Sequence, residues 1–340
     1  MPSKINTQNQ HFIALDILRI IAATMVVVFH FFYRGPFLKE DISLPVLDFA
    51  KYGYLGVNLF FILSGFLIAQ SANNKSGLKF MIKRFIRIYP AYIICLGLTI
   101  ITKLALADTS YTFLEIFTNV LLSNWILKIP SIDGVYWSLH VELMFYCLMA
   151  IIWQSVSKRN KVDHLILIWL LISLVLNYLT IENELLKILR VLTLGEYAGF
   201  FIIGILFYRL YKEGLKKHLI LLSVFSLLTC LRSAYTEAIS LNQLKIDPWL
   251  SSLIIGIFII LFPILIRLRI EKKIKILGVL AGSTYPLYLV HQEIGYLIIK
   301  ILKLPSISSG ILLLVFFFLI SILINQNLEI PIQKKLKNYV

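Results

Sequence analysis

The sequence predicts an all-α fold: a polytopic membrane protein with about ten transmembrane helices and both termini on the cytoplasmic side. Three observations carry this reading. Hydrophobic residues make up 59% of the 340-residue chain and charged residues only 15%, against roughly 45–50% and about 25% in soluble domains. Apolar runs of about 20 residues, the length that crosses a bilayer, recur along the chain. Lysines and arginines favour alternate connections by roughly two to one, the positive-inside bias that sets orientation. The net charge of +15 is therefore mostly a topology signal and does not point to nucleic acid.

The first run, 12–33, is too long for a signal-peptide core of about 7–15 residues and lacks a small-residue cleavage site, so it is read as span one. It holds Arg19 and His30. Eleven residues at about 100° each make three turns plus roughly 20°, which puts both side chains on one face about 16 Å apart. Ionisable groups at bilayer depth mark a site or a pathway by default. The competing reading is structural: Asp16 can pair with Arg19 at i,i+3, and His30 can sit at headgroup level.

Span two, 53–70, carries Gly53, Gly56 and Gly65, which permit close backbone approach, and Asn58 and Ser64, which can bond across helices or line a pocket. No serine lies in a G-x-S-x-G elbow, so a hydrolase-type serine nucleophile has no support. Lys79, Lys83, Arg84 and Arg87 crowd the start of span three, 88–107. They serve topology, or Lys83, Arg84 and Arg87 clamp a phosphate-bearing ligand with side chains, because no glycine-rich phosphate loop is present.

The stretch 111–127, with Glu115, Asn119 and Asn124, is read as a re-entrant or interfacial segment at the outer face. Span four, 137–156, opens with "VYWSLHVELMFY" and places Glu142 one to two turns below the outer surface, at the depth of His30. A histidine and a carboxylate at one depth suit a base and its orienter, or else a buried structural hydrogen bond. His140 is expected nearer the surface and solvated. Spans five to eight, 164–181, 193–211, 218–235 and 249–268, carry no obvious chemistry.

Span nine, 276–299, contains Pro286, which should kink it, and puts His291 and Glu293 level with His30. Span ten covers 309–328. The inner connections hold, among others, Lys4, Lys75, Lys158, Arg159, Lys161, Arg269, Lys272 and Lys273. Cys95, Cys147 and Cys230 lie singly in apolar runs and are read as buried small hydrophobes, with no metal site expected.

Six segments in order, "LDILRIIAATMVVVFHFF", "GYLGVNLFFILSGFLIA", "KRFIRIYPAY", "VYWSLHVELMFY", "STYPLYLVH" and "LEIPIQKKLK", give the chain its resemblance. It resembles the acyltransferase-3 family of integral membrane acyltransferases. The resemblance implies a single transmembrane domain over 1–340, without the soluble esterase-like domain some members append. It implies an O-acyltransferase, in the first place an O-acetyltransferase, that takes an acyl group from cytoplasmic acyl-CoA, with acetyl-CoA the expected co-substrate. The acceptor is then a hydroxyl of a surface or lipid-linked glycan, such as a polysaccharide or lipopolysaccharide of the cell envelope, at the outer face of the inner membrane.

Arg19 and His30 match the family's essential pair, and Glu142 matches the glutamate of its tryptophan-serine segment. Lys83 and Arg87 match its basic pair, where the family usually has arginine at the first position. His291 matches the histidine after its tyrosine-leucine. Catalysis is thus expected at His30, Glu142 and Arg19, and donor binding at Lys83, Arg84 and Arg87. His291, Asn58, Ser64, Trp137 and Tyr288 are expected to line the pocket or touch the acceptor. The partners implied are acyl-CoA, a glycan or glycolipid and membrane lipid, with no resident cofactor and no nucleic acid. A transporter without chemistry, or a glycan polymerase or ligase, are the alternatives. Two matching halves with broken helices would favour the first, and a large arginine-rich outer loop the second.

Overall fold

Apolar runs of about 20 residues satisfy their own backbone polar groups in a lipid interior by forming helices. In the computed structural model, residues 12–39, 41–71, 77–107, 109–155, 159–178, 183–267 and 274–338 are described, and no strand occurs among them. Lys4, Lys75, Lys158, Arg269, Lys272 and Lys273 lie outside the described residues.

The long helices are α1 (Ile13–Phe29), α3 (Gly56–Ser71), α4 (Gly77–Leu106), α6 (Trp137–Ser155), α7 (Arg159–Tyr178), α9 (Ala198–Glu213), α10 (Lys217–Ser240), α11 (Pro248–Arg267), α12 (Lys275–Leu302) and α13 (Ile307–Ile324). Shorter ones are α2 (Gly35–Leu38), α5 (Phe113–Val120), α8 (Glu184–Leu192) and α14 (Ile330–Lys337). The described parts of the apolar segments expected from the sequence fall mainly on these long helices. Among the described residues, 7 helical segments are long and apolar enough to cross a membrane. Leu253, Ile260, Leu312, Leu319 and Leu323 are exposed on α11 and α13, as expected where lipid is the solvent.

Pro286 sits inside α12, which continues as one helix on both sides of it. Among the described residues, two π-turns interrupt the α geometry, His30–Arg34 after α1 and Asn325–Glu329 after α13. The stretch read as re-entrant or interfacial contains α5. Its start is fixed by a capping box between Thr112 and Glu115, and Phe113, Leu114 and Phe117 stay exposed while Thr118 and Asn119 are buried.

The chain divides into two compact units. One comprises 1–19, 57–80 and 144–274. Within it α3 and α9 approach closely: a Cβ at Gly65 would collide with the Phe201 carbonyl. Phe61 meets Phe201 at a tilt and Phe66 meets Phe262 edge-on, and an Asp163–Arg209 ion pair joins α7 to α9.

The other unit comprises 20–56, 81–143 and 275–340. A Cβ at Gly56 would strike the carbonyl of Ala22, so the start of α3 rests directly on α1. The loop after α2 is pinned by Leu47 N–H donating to the Phe32 carbonyl at 2.7 Å. The α12 helix lies against α13, the π-turn after α1 and the short 3-10 turn Gly134–Tyr136. That meeting point holds the residues described next.

Candidate active site

His30 is the first residue of the π-turn His30–Arg34, whose first four side chains are all buried. A π-turn widens the helix by one residue and re-aims the side chains that follow, and such turns concentrate at functional sites. The His30 ring meets the His291 ring of α12 at a centroid distance of 4.9 Å, with Nδ1 of His30 3.0 Å from Nε2 of His291. His30 is 8% exposed and His291 not at all.

The surrounding acceptors fix the tautomers. Nδ1 of His291 lies 2.9 Å from the Tyr288 carbonyl and 3.2 Å from that of Leu287. Carbonyls only accept, so Nδ1 of His291 carries its proton and Nε2 presents a lone pair. Nδ1 of His30 then faces two acceptors, that lone pair and the Val26 carbonyl at 2.9 Å. It must donate to both, which leaves the lone pair of His30 on Nε2. That nitrogen has no hydrogen-bond partner among the described residues and is not sealed from solvent. The arrangement is a neutral imidazole base with a fixed orientation.

The same face of α12 presents Tyr288, whose hydroxyl is 2.7 Å from Ser138 Oγ and donates to the Val135 carbonyl at 3.0 Å. Ser138 is in the first turn of α6, and Glu142 follows one turn later on the same face, half-buried. His291 meets the His30 ring, and Glu142 lies one turn along α6 from Ser138. Trp137 is half-buried at the head of α6. His140, expected to be solvated, is instead 9% exposed with its ring 6.2 Å from that of Trp125, which the turns after α5 lay against this part of α6.

Above this point is a polar cluster that sequence reading missed. The buried Asp133 carboxylate accepts N–H bonds from Val135 at 3.1 Å and Glu293 at 3.2 Å. Lys103 bonds Glu293 at 3.0 Å and the Ile132 carbonyl at 3.1 Å. Asp-Gly ahead of a helix is a recognisable N-cap signal, and it was available at Asp133.

At the other end of the unit, Lys83 and Arg87 are exposed on α4 and Arg84 is half-buried. Arg87 pairs at 3.3 Å with Glu329, whose side chain is fully buried. Glu329 also accepts from Asn325 at 2.8 Å and Gln333 at 2.8 Å, and Gln333 donates to the Arg87 carbonyl at 2.9 Å. Sequence reading gave Glu329 no role, although Asn325, Glu329 and Gln333 form a polar stripe at four-residue spacing.

Arg19, Asn58 and Ser64 belong to the other unit. Arg19 pairs with Asp16 at 3.5 Å, the structural contact foreseen as an alternative. Asn58 is buried and donates to Glu237 at 2.9 Å, and Ser64 is half-buried beside Gly65.

Comparison with known families decides the affiliation. An acyltransferase domain family matches residues 12–326, which include all of the residues above except Glu329 and Gln333. The chain belongs to the acyltransferase-3 family.

Relatives in this family are distant. The chain is 27% identical over 150 residues to the acyltransferase MdmB of Streptomyces mycarofaciens, covering 42% of this chain and 39% of that protein. It is 27% identical over 175 residues to an O-acetyl transferase of Shigella phage Sf6, covering 47% and 51% respectively. It is 27% identical over 177 residues to nodulation protein 10 of Rhizobium leguminosarum bv. viciae, covering 44% and 47%. The chain thus spans about half or less of the length of these curated relatives. No solved structure matches it.

Proposed function

We propose that the protein is a multi-pass O-acyltransferase of the inner membrane that moves an acetyl group from cytoplasmic acetyl-CoA to a hydroxyl of a surface or lipid-linked glycan at the outer face. One observation carries the reading: His30 Nε2 holds an open lone pair, with its tautomer dictated by His291 and two helix carbonyls. Acyl transfer to an alcohol needs a neutral base of this kind, because a hydroxyl attacks an acyl carbon only as its proton leaves. Family membership supports acyl transfer, and the name of the phage relative, an O-acetyl transferase, favours oxygen and acetyl.

The roles follow from position. His30 deprotonates the acceptor hydroxyl. His291 orients it and shares the positive charge that develops. Tyr288 and Ser138 hold α12 and α6 in register, and Glu142 and Trp137 border the acceptor. Lys83, Arg84 and Arg87 meet the phosphates of the donor, with Glu329 fixing the Arg87 head. The family resemblance assigns Arg19, which pairs with Asp16, to catalysis and Asn58 and Ser64 to pocket lining.

Purified protein in proteoliposomes with labelled acetyl-CoA tests this. Release of free CoA and acetylation of an added glycan, each dependent on the other substrate, is the expected outcome. Movement of label across the membrane without covalent transfer would contradict it and indicate a transporter.

A further inference from the structure

Tyr296 follows His291 by five residues on α12, and its ring meets the His30 ring nearly edge-on at a centroid distance of 6.4 Å and an interplanar angle of 67°. It is 4% exposed, and its hydroxyl proton finds no acceptor among the described residues, because the group that reaches its oxygen, the Arg34 guanidinium, can only donate. A buried phenol usually finds a partner, because leaving the hydroxyl bare costs about 1–3 kcal/mol. Its ring is locked in place. A Cβ at Gly35 would collide with its edge, so only glycine fits there, and Lys39 Nζ lies 4.4 Å over its face. The Arg34 guanidinium bears on the hydroxyl end. No carboxylate pairs with Arg34 among the described residues. An immobilised O–H donor, two cations and a base thus converge at one corner of a single unit.

The chemistry that fits such a corner is an oxygen that gains negative charge. We propose that Tyr296 is a catalytic residue whose hydroxyl donates to the acyl oxygen as it becomes an oxyanion, with Arg34 supplying background positive charge. This rests on the acyl-transfer reading above. The acceptor hydroxyl gives its proton to His30 Nε2 while its oxygen bonds to the acyl carbon of the thioester. The carbonyl π pair moves onto the acyl oxygen, which accepts from Tyr296 Oη–H. When the C=O bond re-forms, the carbon–sulfur bond breaks and the thiolate takes the proton back from His30, leaving ester and free thiol. A donor aimed at developing charge in a water-poor site costs little reorganisation and contributes most in the transition state.

Tyr296→Phe keeps the ring against Gly35 and Lys39 and removes only the hydroxyl. With purified protein, acetyl-CoA and a glycan acceptor, kcat is expected to fall about 100-fold, the loss typical of one oxyanion donor. The KM of each substrate and the thermal unfolding temperature should stay near wild type, a split that a purely structural tyrosine does not produce. If the wild type transfers acetyl and Tyr296→Phe matches its kcat, or loses only through KM, the proposal is overturned while the acyl-transfer reading stands. A wild type that transfers nothing overturns that reading and this proposal with it.

Discussion

Nδ1 of His30 donates across 3.0 Å to Nε2 of His291, two side chains 261 residues apart in sequence. The direction of that bond is set by α12, whose Tyr288 and Leu287 carbonyls take the single ring N–H proton of His291 on Nδ1. A helix backbone thereby dictates which nitrogen of a distant histidine is basic. Orientation and tautomer are what a general base needs before its basicity matters.

Removing His291 tests that coupling. His291→Ala deletes one of two acceptors for the His30 proton and leaves the Val26 carbonyl. A hydrogen bond to a group that becomes charged is worth about 1.5–3 kcal/mol, so kcat should drop roughly 10- to 150-fold. Acetyl transfer at matched membrane levels reads the effect. A wild-type rate in the variant would remove His291 from the mechanism.

Glu329 and Arg87 separate structure from donor binding. Glu329→Ala strips the acceptor from Asn325 and Gln333, and should lower stability by about 1–3 kcal/mol, seen as a lower unfolding temperature in detergent. Arg87→Ala should raise the KM for acetyl-CoA about tenfold or more, with a smaller change in acceptor KM. Unchanged donor KM would make Arg87 a purely structural partner of Glu329.

Tyr288→Phe should cost about 1–2 kcal/mol by breaking the bonds to Ser138 and the Val135 carbonyl. Chemical or thermal denaturation checks it, and a variant as stable as wild type would show that α6 and α12 are held by packing alone.

Outside the spans, Thr112 donates its backbone N–H at 2.7 Å and its hydroxyl at 2.8 Å to Glu115, which holds that carboxyl below its usual value. A carboxyl lowered in the folded state stabilises it above the unfolded value of about 4.3 and stops doing so as pH falls through the folded value. The first turn of α5 should therefore be protected at pH 7 and fray in acid as that carboxyl protonates. Hydrogen exchange of the α5 amides measures this, and Glu115→Gln should abolish the pH dependence.

The helices were legible because hydropathy and length are one-dimensional properties. His30 and His291 were legible as partners in depth, since a ten-helix register places them level. Depth does not fix rotation about the helix axis, however. The sequence suggested Glu142 as the group that supports His30, and the structure adds His291, at which the π-turn aims the His30 ring. A π-turn has no residue signature in "FHFFYR". Tyr296 was invisible for another reason: a tyrosine in an apolar run is ordinarily packing, and only the geometry around Gly35 and Arg34 singles it out.

The most direct measurement is the rate of acetyl transfer from acetyl-CoA to a glycan hydroxyl by His30→Ala, purified and reconstituted at the same level as wild type. Loss of a general base at this position should cut kcat by at least about 100-fold. Undiminished transfer would contradict the account at its centre.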